Sequence, residues 1–138
     1  WTSTAGSPQR TTWQGLSFEL LCLQHVDQIK RRLGISGLHC GVCSWRHQAD
    51  ETYPIGAQID LLIDRADNVV NVCEMKYARG LYVLDRQMRE SLDNKIAALR
   101  AVTGTHKSIH LTLVTSKGLA HTEQAQAVQS EVTLEDLF

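Results

Sequence analysis

Two apolar runs in the middle of the chain carry charge where an ordinary core strand carries none. They are Gly56-Ala57-Gln58-Ile59-Asp60-Leu61-Leu62-Ile63-Asp64 and, a few residues on, Val69 to Lys76. Strand side chains alternate between faces, so Glu74 and Lys76 project from one face together with Val70 and Val72. A carboxylate and an ammonium on a buried face are costly unless they pair or bind an ion. If the runs form a hairpin with Ala66, Asp67 and Asn68 as its loop, Arg65 faces Val69 and Asp60 faces Glu74. A three-residue loop wants its last residue left-handed, and asparagine tolerates that conformation. Two carboxylates set opposite each other repel. Either one takes up a proton or both share a cation, and a divalent metal between Asp60 and Glu74 accounts for the pattern most simply.

A helix is expected ahead of these strands, from about Thr12 to Leu33, with Thr11 or Thr12 as N-cap. Its apolar recurrence is Trp13, Leu16, Leu20, Leu23, Val26, Ile29 and Leu33. At about 100° per residue, Glu19 falls inside that arc, between Leu23 and Val26, while Gln14, Ser17, Gln28 and Arg32 fall outside it. Glu19 is therefore expected to point towards the sheet. A half-buried acid paired to a lysine would satisfy the same pattern.

The remaining elements follow from periodicity and breakers. Leu38 to His47 is expected as the first strand, followed by a polar loop from Gln48 to Thr52. Gly80 interrupts the chain after the acidic strands. A second long helix is predicted from about Leu84 to Val102, with Met88, Leu92, Ile96, Leu99 and Val102 as its stripe, closed by Thr103-Gly104. Ser108 to Thr115 alternates as a fourth strand. A short helical stretch after Ser116-Lys117-Gly118, an edge strand over Ala127 to Val132 and a helical turn over Thr133 to Phe138 complete the chain. The predicted class is α/β, with a mixed sheet in the order α-β-β-β-α-β, because the helix before the fourth strand permits a parallel crossover.

Composition narrows the setting. A chain of 138 residues with 43% hydrophobic and 21% charged residues suits one globular core. It has no apolar run approaching the ~18–20 residues of a membrane span and no signal-peptide core, so a cytoplasmic domain without membrane contact is expected. A formal net charge of −1 does not mark a nucleic-acid binder overall, so any basic surface has to be local. Cys22 and Cys73 lie in apolar stretches and are expected as core thiols. Cys40 and Cys43, near His39 and His47, have part of a zinc pattern but lack a second matching pair. Three apart on a strand, they would also point to opposite faces.

Asp60 followed by Glu74-Met75-Lys76 resembles the active-site signature of the PD-(D/E)XK nuclease superfamily, with Ile59 standing where that family's proline would be. The element order resembles that superfamily's restriction-endonuclease-like, three-layer α-β-α core. Over most of its length the chain resembles a domain found at the C-terminus of bacterial AAA-type ATPases, common in Bacteroidetes. The likeness runs through Trp13 to Glu19, Leu33-Gly34-Ile35, Gly56 to Arg65, Glu74 to Tyr77 and Leu134 to Phe138. It implies that residues 1–11 are a lead-in from an upstream ATPase domain and residues 12–138 a nuclease-like domain. The chain itself has no Gly-x-x-x-x-Gly-Lys-Ser/Thr loop, so ATP hydrolysis is not assigned to it. The resemblance further implies Mg²⁺ or Mn²⁺ held by Asp60, Glu74, the Met75 backbone carbonyl and, through water, Glu19. Lys76 would orient the attacking water, and Lys95, Gln87, Ser91 and Arg79 would meet DNA. A silent nuclease fold, kept as a DNA- or protein-interaction module for the ATPase, is the alternative.

Overall fold

The structure is a computed structural model that describes residues 8–138, with side chains described from Trp13 onward. Residues 1–7, most of the expected lead-in, lie outside the described residues. Five strands form one sheet in the order β1-β2-β3-β4-β5: Cys40–His47, Ala57–Arg65, Val69–Lys76, Ser108–Thr115 and Ser130–Thr133. The first three run antiparallel as a meander, and β3, β4 and β5 are parallel. The crossover from β3 to β4 contains α3, Arg86–Thr103. The opposite face of the sheet is covered by α1, Pro8–Gln24, and α2, Val26–Arg32. The result is a three-layer α/β fold with a mixed sheet.

Register follows the hairpin expected from sequence. Leu61 pairs with Cys73, Leu62 with Val72, Ile63 with Asn71 and Asp64 with Val70. Asn68 takes φ 65°, the left-handed turn residue that this loop requires. The two faces of the strands then divide the core. Leu62, Val72, Leu111 and Leu113 pack with Leu92 and Leu99 of α3. Leu61, Ile63 and Cys73 pack with Phe18 and Cys22 of α1 and Ile29 of α2.

Chain termini of the elements follow local chemistry. Asp85 caps α3 by accepting from the Met88 N–H at 2.8 Å, and Gly104 closes it at φ 67°. A 3-10 turn at Leu134–Leu137 is entered through a capping box between Thr133 and Asp136.

Three expectations for the first helix need correction. It begins at Pro8, ahead of Thr12, so Thr11 and Thr12 lie within it and do not cap it. It also does not run unbroken to Leu33. His25 leaves helical geometry at φ −122°, ψ 35°, and its ring Nδ1–H donates to the Leu21 carbonyl at 2.8 Å. That side-chain bond takes the carbonyl that the His25 backbone N–H would bond in a continuous helix, and the N–H turns to Cys22 O instead. Finally, the helix is rotated. Phe18 and Cys22 are buried, whereas Trp13, Leu16, Leu20 and Leu23 are exposed. The helix has two apolar sides, and the more compact Phe18–Cys22 side faces the sheet.

The hairpin loop yields a direct test. Asn68→Gly should leave stability within about 0.5 kcal/mol. Asn68→Val, a β-branched residue forced to positive φ, should cost about 1–2 kcal/mol in urea unfolding. Equal stability of the two variants would mean that the loop is not left-handed at Asn68.

Candidate active site

A β-bulge sets the position of Asp60. Cys43 pairs with Leu62 and Trp45 with Ile59, so Asp60 and Leu61 together oppose the single residue Ser44. Past the bulge the alternation shifts: Ile59 joins Leu62 on the α3 side, although Leu61 between them packs on the α1 side. Bulges re-aim side chains in this way beside functional sites. Asp60 and Glu74 are the next residues beyond the last β2–β3 pair, Leu61 with Cys73, at the carboxyl end of β3.

Side chains from four elements meet there. Asp60 on β2 accepts a 2.8 Å hydrogen bond from Gln58 Nε2 and is hydrogen-bonded to Glu19 of α1. On β3, Glu74 places Oε1 3.3 Å from Lys76 Nζ, and its Oε2 accepts from Lys95 Nζ of α3, also at 3.3 Å. The Glu74 side chain is 13% exposed, which makes this doubly paired carboxylate the most enclosed of the salt-bridged acids among the described residues.

Two carboxylates in hydrogen-bond contact repel when both are ionised, so below about pH 7 they share one proton. The hydrogen bond that protonated Glu19 donates to Asp60, then burial, then the charges of Asp60 and Glu74 push Glu19 up from 4.5 to about 7, against the opposing pull of Lys76. Asp60 is lowered, chiefly by accepting from protonated Glu19, with help from Gln58, Lys95 and Lys76 and against desolvation. Burial drives the thiols of Cys22 and Cys73, just beneath, up to about 12, where they are inert.

The donor set, all carboxylate oxygens, fits a hard divalent cation. As they stand, however, the acids are turned to each other and to lysines. Among the described residues, no three His, Cys, Asp or Glu side chains are grouped around one point as metal ligands. A cation would draw Glu74 from its lysines and displace the shared proton.

Of the residues expected at the site, Asp60, Glu74, Lys76 and Glu19 converge. Lys95 joins them through Glu74. Gln87 and Ser91 line an adjoining pocket of about 410 Å³ between α3 and the start of β2, along with Gln58, Asn94 and Lys95. Arg79 is exposed on the loop after β3 and makes no hydrogen bond or ion pair among the described residues. Gln58 was not singled out from the sequence, although a polar side chain two residues before Asp60 was a usable signal. A larger cavity of about 500 Å³ along Leu119–Glu131 lies elsewhere. Two of its polar side chains are committed to backbone: Glu131 accepts from Leu119 N–H and Gln129 from Leu111 N–H.

The partial zinc pattern comes apart on β1. Cys40 packs on the α1 side, while exposed Cys43 lines a cavity on the α3 side. No helix among the described residues is long and apolar enough to cross a membrane.

No family model and no curated protein matches the chain. Among solved structures, it is similar to the crystal structure of a protein of unknown function, AF1548. The TM-score is 0.54 at 15% identity, covering 85% of this chain and 64% of that one. The chain thus spans less than two thirds of that protein, and the likeness shows the shared fold alone.

The shared proton has a sign that can be measured. Between pH 4.5 and about 7 the folded chain retains a proton on Glu19 that the unfolded chain has lost, so stability should fall as pH rises through that window. Because Glu19 is only half-buried, solvent screening trims the effect to about 1 kcal/mol. The depression of Asp60 acts at lower pH, where its contribution is lost as pH falls. Asp60→Asn should return Glu19 towards 4.5 and flatten the slope of melting temperature against pH between 5 and 8. An unchanged slope in that variant would place the titrating group elsewhere.

Proposed function

We propose that this domain is a metal-dependent phosphodiesterase acting on DNA. The observation that carries the proposal is the convergence of Glu19, Asp60 and Glu74 from three elements with Lys76 and Lys95 at the carboxyl end of β3. With one proton shared by Glu19 and Asp60, the five groups are neutral. Exchanging that proton for a divalent cation leaves one positive charge, the complement of a single phosphodiester.

Asp60, Glu74 and the Met75 carbonyl would hold Mg²⁺ or Mn²⁺, with Glu19 reaching it through water. The ion would supply Lewis-acid polarisation of the phosphate and a more acidic water. Lys76 orients the attacking water and stabilises charge that develops on the phosphate. Glu19, poised near neutral pH, suits the role of proton acceptor. As water's oxygen bonds to phosphorus, one bridging P–O bond breaks and the departing oxygen takes a proton. The amides of Gln58, Gln87 and Asn94 line the neighbouring pocket, where base edges and phosphate oxygens would find hydrogen-bonding partners. On the likeness to ATPase-borne domains, the activity would serve an upstream motor in the bacterial cytoplasm.

A second reading has its own observation. Both oxygens of Glu74 are satisfied by lysines, so the cluster can stand as a structural ion network in a silent DNA- or protein-binding module.

Metal response separates the two. Mn²⁺ at about one hundred times its dissociation constant should stabilise a working site by roughly 2.7 kcal/mol. The domain should then nick plasmid or cleave branched, single-stranded or duplex oligonucleotides. Lys76→Ala should lower that rate by at least about 100-fold while keeping the metal-induced rise in melting temperature. Asp60→Asn should lose both. A melting curve indifferent to millimolar Mn²⁺ with no cleavage would leave the silent module.

A further inference from the structure

The rotated helix α1 presents a second apolar side that no other described part of the chain covers. Trp13 is 63% exposed, Leu16 61%, Leu20 57% and Leu23 38%, on the side of the helix away from Phe18 and Cys22. Their spacing of three, four and three residues is that of a two-heptad coiled-coil seam, which suits a partner helix better than a flat surface. The helix carries a single basic residue, Arg10, and none from Trp13 to Gln24, short of the basic flank with which an amphipathic helix holds an anionic membrane. Its one carboxylate, Glu19, is engaged by Asp60.

We propose that this stripe docks on the same stripe of a second copy of the chain, with the two α1 helices antiparallel about a twofold axis. Three features select a second copy. The three-four-three spacing reads the same in both directions, so antiparallel pairing sets Trp13 against the second copy's Leu23 and Leu16 against its Leu20. That places the bulkiest residue opposite the most recessed one. The flanking positions Ser17 and Gln24 are exposed and uncharged, so two copies meet without like-charge repulsion. The open parts of the four side chains come to roughly 400 Å² per copy, and with the flanks a pair approaches the roughly 1,000 Å² at which specific interfaces begin. An interface of that size gives a weak, concentration-dependent dimer. Glu19 lies on the border between the seam and the sheet-facing side, so pairing would brace the helix that delivers it to Asp60. The pairing itself rests on the exposed stripe and not on the proposed activity.

Sedimentation equilibrium of the chain from low micromolar to millimolar concentration tests the proposal. Self-association with a micromolar-range dissociation constant is expected. Leu16→Lys or Leu20→Lys should weaken it roughly 100-fold, with circular dichroism unchanged because both positions are exposed. In a Cys43→Ser background, a Leu16→Cys chain mixed with a Leu20→Cys chain should form the mixed disulfide in preference to either homodimer. A chain that stays monomeric throughout overturns the proposal and assigns the stripe to a different protein. An association that Leu16→Lys leaves unchanged overturns it by placing the contact elsewhere, as does cross-linking that favours Leu16 with Leu16.

Discussion

The register of the β2–β3 hairpin governs everything built around it. With Leu61 set against Cys73 and Asp64 against Val70, each strand presents one apolar row to α1 and α2 and another to α3. A slip of one residue would exchange the rows, burying Asp64 on one side and turning Leu61 away from α1. Asn68 holds the loop at positive φ, and Arg65 ties it down by bonding both Asp67 and the buried Asn71. Asn71 in turn donates to Thr112 of β4 at 3.0 Å. A polar chain thus runs from the hairpin tip into the central strands. It fixes the end of the hairpin opposite the carboxylate cluster, which lies where β2 and β3 cease to pair.

This geometry explains why the charged groups tolerate their surroundings. Full burial of an ionised carboxylate would cost several kcal/mol, yet Glu74 sits among apolar strands with little exposure. Its position at the carboxyl end of β3, beyond the last antiparallel pair, lets Lys76 approach from its own strand and Lys95 from α3, one to each oxygen. The bulge at Asp60 does the corresponding work on β2. Without the extra residue opposite Ser44, Ile59 would share the side of Leu61. With it, Ile59 closes the α3-side core, and Asp60 lies where α1 can reach it.

Much of this was legible because it depends on period and turn chemistry. Strand alternation, the loop ending at Asn68 and the closing Gly104 correctly set the β2–β3 register, the C-terminal end of α3 and the parallel crossover. Helix α1 was less legible. Its sequence has Trp13, Leu16, Leu20 and Leu23 on one side and Phe18 with Cys22 on the other, so periodicity favoured the longer row while packing chose the shorter one. Glu19 was nonetheless placed correctly, because it lies on the border of both rows and meets the sheet in either phase. The break at His25 depends on a ring-to-carbonyl bond and on the packing of that ring against Phe138, 5.1 Å away. The second contact spans the whole chain, so no local pattern announces it. The bulge was hidden for a similar reason, since it exists only in the pairing of β1 with β2.

The cluster is most informative as a balance of charge. A network kept only for stability would do better with apolar groups of similar volume, since buried ion pairs seldom repay their desolvation. Here three acids face two lysines, and the odd charge is removed by a proton held between Glu19 and Asp60, with Glu19 raised to about 7. On the proposed reading, the proton borrowed for neutrality marks the charge that a bound cation would replace. A divalent cation would overshoot that charge by one unit, creating a demand for an anion at the same place. On that reading the lysines would meet the anion, because both would lose their hold on Glu74 if its oxygens turned to the cation. The five residues would then form a single exchange unit linking proton, cation and phosphate, and removing any one carboxylate alters the charge that the others present.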